Sequence, residues 1–327
     1  MDKYNLRQVI LDYPNQLNIG QEFANKTEIN LKKKDYDNII ICGMGGSALP
    51  AELLINYLKN EKKIKVDITV SRDYSLPLNA SRNSLIFISS YSGNTEEAIS
   101  CFKEALTLKS DIIAFSEGGK VEEIAKENNI PHVKYDIKFD HIEPRYATTY
   151  VFTAMHQVLT KLNIVTTIED FPNINPRNFE VYGKELAKKA KNKIPVIYAS
   201  NKHKSLARIW KIKINENSKS PAFWNYFPEL NHNELVGFSN PRDKYFVLMI
   251  QDKDDHERTN KRMQITSDIY QDLGIETEVI EMKGRNYLEK FLNTLVLGDW
   301  ISYYLAMEYN QDPTPVELVE EFKKKLN

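Results

Sequence analysis

The segment Asn38-Ile39-Ile40-Ile41-Cys42 constrains the fold most. It runs straight into Gly43-Met44-Gly45-Gly46-Ser47 and then into a helical pattern, Ala48-Leu49-Pro50-Ala51-Glu52-Leu53-Leu54. An unbroken apolar, β-branched run ended by glycine reads as a strand buried on both faces. Such a strand needs a covering layer on each side, which strand–helix units in a parallel sheet supply. The rhythm continues with strand-like runs at 66–70, 85–89, 111–115 and 132–135. Helical segments lie around 48–58, 95–108 and 121–127, and 147–162 reads as a helix closing this half. A polar, proline-bearing stretch at 166–178 follows, after which the alternation restarts. Strands are expected at 194–199, 245–250 and 276–280, and helices at 204–217, 256–273 and 287–309. The expected fold class is α/β, with two subdomains, each a parallel sheet flanked by helices in three α/β/α layers. The expected bounds are 1–163, a linker at 164–180, 181–311, and a helical tail at 312–327. The two halves share a rhythm but no repeating sequence.

Composition narrows the function. Hydrophobic residues are 42% and charged residues 27% of the 327, the balance of a soluble globular protein. A formal net charge of -1 provides no global field for nucleic acid or an anionic membrane, so neither is an expected partner. Any anionic ligand must be held by local chemistry. No window approaches the length of an apolar membrane span, and the N-terminal apolar stretch is broken by charge and Pro14. A cytoplasmic protein is expected. Only Cys42 and Cys101 are present, which suits a reducing compartment and leaves one disulfide open. The histidines at 132, 141, 156, 203, 232 and 256 show no metal-ligand spacing, so no metal or other cofactor is expected.

Two loops carry the first chemical signal. Gly43 to Ala48 fits a G-x-G-x-x-A dinucleotide pattern. That fingerprint also wants an acid at the end of the second strand, where Ser71-Arg72-Asp73 is an ambiguous match. A dinucleotide site and other anion sites share one physical content, backbone N–H groups at a helix N-terminus that favour an anion. A bare packing turn is the plain alternative. The second loop, Ser89-Ser90-Tyr91-Ser92-Gly93-Asn94-Thr95-Glu96-Glu97, clusters hydroxyls and amides at a helix start. Oriented donors of this kind bind phosphate without a basic side chain. An ordinary N-cap explains Asn94, Thr95 and the glutamates, but not Ser90 and Ser92.

Further along, Glu143-Pro144-Arg145-Tyr146-Ala147 sets an arginine at a helix entrance. Arg145 is either a plain surface residue or a partner for a developing oxyanion. Glu216 ends a helix within Glu216-Asn217-Ser218-Lys219, and His232 lies within Asn231-His232-Asn233-Glu234. Taken singly, each reads as a surface residue. Ser218, Pro221, Phe223 and Trp224 provide a turn and bulky groups expected to keep water from Glu216 and raise its pKa. Asp312-Pro313-Thr314-Pro315 opens a short amphipathic C-terminal helix, read plainly as a cap packed on the domain.

In this order, the motifs resemble the bifunctional phosphoglucose/phosphomannose isomerases, members of the sugar isomerase (SIS) domain superfamily. The likeness covers nearly the whole chain. It implies that Ser47, Ser90, Ser92 and Thr95 hold a 6-phosphate while Gly46 lines the sugar. It implies that Glu216 is the base, that His232 assists ring opening and that Arg145 steadies the cis-enediolate. Thr314 would touch the sugar, and Lys323 would join the site. The implied activity interconverts glucose 6-phosphate and fructose 6-phosphate, with mannose 6-phosphate as a further substrate, without a metal. A homodimer is implied, with the histidine reaching the site from the partner subunit. Two rivals stand. A non-catalytic phosphosugar sensor would want a DNA-binding segment before the domain, where about 37 residues stand. An NADP-dependent oxidoreductase would leave the Ser90–Thr95 loop unexplained.

Overall fold

The computed structural model describes residues 2–31 and 34–326. It divides into two units, one of Asp12–Phe171 and the other of Met1–Leu11 with Pro172–Asn327. The chain's start therefore belongs with its C-terminal half, whereas sequence order alone groups it with the first. The helix α1 (Leu6–Leu11) is part of that second unit.

The Asp12–Phe171 unit opens with α2 (Tyr13–Lys26), a helix not anticipated from the sequence. Pro14 sits in its first turn, where a missing N–H costs nothing, and Tyr13, Leu17, Phe23 and Ala24 are buried. There follow β1 (Asn38–Cys42), α3 (Gly45–Asn60), β2 (Asp67–Ser71), β3 (Ser84–Ser89) and α4 (Glu96–Leu108). The unit continues with β4 (Asp111–Ser116), α5 (Gly119–Glu127), β5 (His132–Lys134), a 3-10 turn at Pro144–Tyr146 and α6 (Thr148–Lys161). The five strands are parallel in the order β2-β1-β3-β4-β5. All residues of β1 and β3 are buried, as a sheet covered on both faces requires. Ile40, Ile86 and Ile88 share one core cluster with Ala98, Phe102 and Ala105 of α4. Each large apolar side chain so buried stabilises the unit by about 1.5–3 kcal/mol.

The second unit contains α7 (Arg177–Ala190), β6 (Ile194–Ser200), α8 (Lys204–Ser218), β7 (Phe223–Phe227) and α9 (Glu234–Gly237). After these come β8 (Tyr245–Gln251), α10 (Glu257–Asp272), β9 (Glu276–Glu281), α11 (Tyr287–Glu308) and α12 (Glu317–Leu326). Its four strands are parallel in the order β7-β6-β8-β9. Both α7 and β7 go beyond the sequence expectation. The helix α7 is rich in lysine and glutamate, yet it buries Gly183, Leu186, Ala187 and Ala190 along one face. Pairing with β6 places Phe223 and Trp224 in an edge strand, and Phe223 is exposed.

Each sheet reverses its strand order once, between β1 and β3 in one unit and between β6 and β8 in the other. The carboxyl ends of strands beside such a reversal form a crevice where ligands of open α/β sheets bind. Among the described residues no helix is long and apolar enough to cross a membrane. Cys42 and Cys101 are buried free thiols.

Candidate active site

In the Asp12–Phe171 unit, the loops after β1 and β3 meet at the crevice. The first turn of α3 begins at Gly45, so of the glycines predicted as a turn Gly45 and Gly46 already belong to the helix, while Gly43 precedes it. Ser47 stands in that first turn, and its Oγ accepts a hydrogen bond from the Tyr91 amide at 3.0 Å. Ser89 Oγ donates to the Ser47 carbonyl at 2.9 Å, tying the loops together a second time. Ser90 Oγ lies 2.8 Å from Thr95 Oγ1 and 3.4 Å from the Thr95 amide it accepts from. Ser92 is exposed, and its Oγ accepts from the Asn94 amide at 3.3 Å. Gly93 has φ +75°, a left-handed conformation, and a Cβ there would fall 1.8 Å from the Gly118 carbonyl oxygen. Thr95 is the residue before α4, so Ser47, Ser90, Ser92 and Thr95 all lie at two helix N-termini, whose dipoles favour an anion.

The same unit brings Arg145 to this loop. A Cβ on Gly46 would lie 2.6 Å from the Arg145 amide nitrogen and 2.9 Å from Pro144. Only a glycine allows the Pro144–Tyr146 turn to come so close. The Arg145 side chain is fully buried, its guanidinium over the Tyr146 ring at 5.5 Å and its Nη1 3.5 Å from Glu143 Oε2. Arg145 is thus no surface residue. Burial pushes the Tyr91 phenol above its usual range, and the charges of Glu117 and Glu143 add to the effect.

Glu216, His232, Thr314 and Lys323 belong to the other unit. Glu216 lies in the last turn of α8, half-buried, and its carbonyl accepts from Lys219 Nζ at 2.8 Å. That end of α8 is anchored to α11. Lys213 and Asp299 form a fully buried ion pair, Asn217 Nδ2 donates to Ser302 Oγ at 2.8 Å, and Ser218 Oγ donates to the Ser302 carbonyl at 3.0 Å. The bulky screen expected around Glu216 is altered, since Phe223 is 56% exposed and Ser218 turns into the α11 contact.

His232 ends a 3-10 turn and is exposed, but its neighbours are pinned. Asn231 Nδ2 donates to Thr266 Oγ1 at 2.9 Å, and Asn233 caps α9 while donating to Glu229 Oε1 at 2.8 Å. The Glu234 carboxylate accepts from the buried Tyr198 hydroxyl and from Asn225 Nδ2. Thr314 is buried, and its amide donates to Asp312 Oδ1 at 3.1 Å. Lys323 is exposed on α12 and pairs with Glu320 at 2.7 Å. No described residue of α12 is buried, so the expected packing of this helix on its own domain is not seen; Leu318 and Phe322 are 82% and 61% exposed.

Sequence reasoning missed the supporting groups Glu143, Lys213, Glu234 and Asp299. A helical period does carry one hint, because Leu206, Ile209, Trp210, Lys213 and Asn217 form a single buried stripe of α8. It also missed a cluster at the second crevice, where His203, Asp252 and Asp255 place ligand-type atoms within 4.8 Å of one another. His203 Nε2 lies 3.3 Å from Asp252 and 3.4 Å from Asp255. Lys290 pairs with Asp252 at 2.7 Å, and Lys202 lies 3.6 Å from the same residue. Burial lowers the His203 pKa, but the neighbouring carboxylates of Asp252 and Asp255 outweigh that and leave it raised.

These two parallel sheets, with a hydroxyl-rich pair of helix-start loops at one strand-order reversal, define a doubly wound α/β protein with an anion-type crevice. The C-terminal domain of glucosamine-fructose-6-phosphate aminotransferase from Francisella tularensis has the same fold, with a TM-score of 0.71 at 14% identity over 96% of this chain and 98% of that one. The bacterial phospho-glucose isomerase C-terminal SIS domain matches residues 179–326. A bifunctional phosphoglucose/phosphomannose isomerase of Caldicellulosiruptor bescii is 33% identical over 97% of both chains. One of Aquifex aeolicus is 36% identical over 94% of this chain and 97% of its own. The chain belongs to the bifunctional phosphoglucose/phosphomannose isomerase family.

Proposed function

We propose that this protein interconverts glucose 6-phosphate and fructose 6-phosphate, and mannose 6-phosphate as well, through a cis-enediolate. The observation that carries the reading is the hydroxyl-lined crevice at β1 and β3, with the buried Arg145 turn set against its glycine loop. In this reading the 6-phosphate rests on Ser47, Ser90, Ser92 and Thr95, with Gly46 beside the sugar. His232 delivers a proton to the ring oxygen as the ring opens. Glu216 takes the proton from C2 and returns it to C1, and Arg145 meets the charge that develops on the enediolate oxygen. Thr314 touches the sugar, and Lys323 joins the catalytic groups. No step calls on a metal or other cofactor. Proton transfer by a placed carboxylate is worth about 10²–10⁴-fold, so fixing the phosphate and stabilising the oxyanion supply much of the remainder.

The reading extends to a cytoplasmic homodimer with a shared site. Mixing Glu216→Gln with His232→Ala should recover activity if each site draws on two subunits. The primary test is fructose 6-phosphate in D₂O, where deuterium incorporation and the appearance of glucose 6-phosphate are expected. A Glu216→Gln variant that turns over normally would remove Glu216 as the base. NADP binding in place of turnover would favour an oxidoreductase.

A further inference from the structure

We propose that Ser89 is a positioning residue: it fixes the first turn of α3 so that the Ser47 hydroxyl donates to a bound phosphate. This rests on the reading of Ser47 as a phosphate ligand given above. Ser89 is the last residue of β3 and is buried, outside the set of hydroxyls read as touching the anion. Its Oγ donates to the Ser47 carbonyl at 2.9 Å. The helix ladder already supplies a first-turn carbonyl with a donor, so this further bond adds direction and is not needed to satisfy an orphan group. Ser47 is held at a second atom too, because the Tyr91 amide donates to its Oγ at 3.0 Å.

A serine hydroxyl has one proton and two acceptor lone pairs. With the Tyr91 N–H on one lone pair, the Ser47 proton turns away from that amide and is left for a ligand. Ser90 and Thr95 differ, since their hydroxyl oxygens lie 2.8 Å apart and one of their two protons is used between them. Ser47 is therefore a hydroxyl whose direction the fold sets while its proton stays uncommitted. The grip depends on Gly43. A Cβ there would lie 2.8 Å from the Ser89 carbonyl oxygen, 3.3 Å from the Ser47 carbonyl oxygen and 3.4 Å from Ser89 Cβ. Glycine leaves the gap through which Ser89 reaches Ser47. On its other side the loop is tied to the end of β4. The Ser90 amide donates to the Phe115 carbonyl at 3.1 Å, and the Glu117 amide donates to the Tyr91 carbonyl at 2.8 Å. Ser89 thus sets the start of α3 against a loop that the sheet already holds.

Inorganic phosphate is the probe. Its affinity for the full chain is read from titration calorimetry and from its inhibition constant against fructose 6-phosphate, with circular dichroism to confirm folding. Ser89→Ala should weaken phosphate by about tenfold, the size of one hydrogen bond to a charged ligand. KM for fructose 6-phosphate should rise by a similar factor, and kcat should change less. Ser47→Ala should weaken phosphate by the same factor. The Ser89→Ala/Ser47→Ala double variant should also stay near tenfold, instead of the roughly hundredfold that two separate contributions would give. A merely structural Ser89 would lower the melting temperature and leave phosphate affinity alone. Wild-type phosphate affinity in Ser89→Ala, or additive losses in the double variant, would overturn the proposal. If the Ala variant does not fold, Ser89→Cys, close in volume and a weak donor, reads the same quantity, and wild-type affinity there overturns it. Failure of both to fold would make the bond a requirement of the fold and overturn the positioning role. A wild type that binds phosphate without isomerising the sugar removes the functional reading, and the phosphate affinities alone then decide this inference. A wild type that binds no phosphate removes both.

Discussion

The two crevices, one in each unit, follow the same topology and are furnished in opposite ways. Ser90 follows β3 directly and Asp252 follows β8 directly, the corresponding place in the other sheet. Around Ser90 stand hydroxyls, helix-start amides and a left-handed glycine, none of them charged. Around Asp252 stand His203, Lys202, Lys290 and Asp255, whose charges meet one another. Neutral donors leave a place for an incoming anion, while a closed ion cluster already satisfies its own charges. One topology therefore carries an uncharged, hydroxyl-lined crevice and an ion-paired one, and the residue after the strand marks the difference. The second unit's proposed chemical groups lie elsewhere, at the far end of α8 and in the turn after β7.

The largest expected effect concerns the second unit's chemistry. Replacing Glu216 by Gln should reduce turnover by about 10²–10⁴-fold while phosphosugar affinity stays near wild type. Equal loss of affinity would assign Glu216 to binding rather than proton transfer. Next, Asp252→Asn should lower the unfolding free energy by up to about 3 kcal/mol, because it takes away the partner shared by Lys290 and His203 and leaves them only Asp254 and Asp255. KM should not move. A raised KM with unchanged urea stability would mean that the paired crevice takes substrate after all.

The two buried histidines sharpen the contrast through pH. His156, in the Asp12–Phe171 unit, is lowered to about 4 by burial and by the charge of Lys63. It contributes stability above the unfolded value near 6.5, and that contribution is lost as pH falls toward 4. The loss amounts to about 3 kcal/mol. His203, raised by its carboxylates, behaves with the opposite sign. Its contribution is complete below about 6.5 and is lost as pH rises through the folded value. Urea midpoints should therefore fall on acidification in wild type, and His156→Phe should flatten that slope. A slope unchanged in His156→Phe would assign the acid sensitivity to other groups. The smallest effect is expected at the open crevice. Ser90→Ala should raise KM by roughly tenfold, the size of one hydrogen bond to a charged ligand, with kcat retained. An unchanged KM would place the phosphate away from β3.

Much of this molecule follows from local pattern. The apolar run of β1, the glycines after it and the serine-rich loop after β3 each carry their own signal within a few residues. Strand period, turn chemistry and helix-start donors are properties of adjacent residues, so the parallel sheets and the serine-rich turn before α4 are legible without coordinates. In contrast, α2 is hidden because Pro14 stands near its start and Gln16 interrupts its buried face, and β7 because its aromatic residues serve equally well as a hydrophobic screen.

What only the tertiary structure decided is which distant side chains share a place. Pairing of Lys213 with Asp299, capture of Glu234 by Tyr198, and the meeting of His203 with Asp252 and Asp255 join residues far apart in the chain. The closeness of Gly46 to Arg145 turns a lone arginine in the sequence into a buried cation beside the phosphate-type loop. A sequence records which groups are available and how the backbone repeats. Burial and charge compensation arise from packing across long separations, and only the folded chain fixes them.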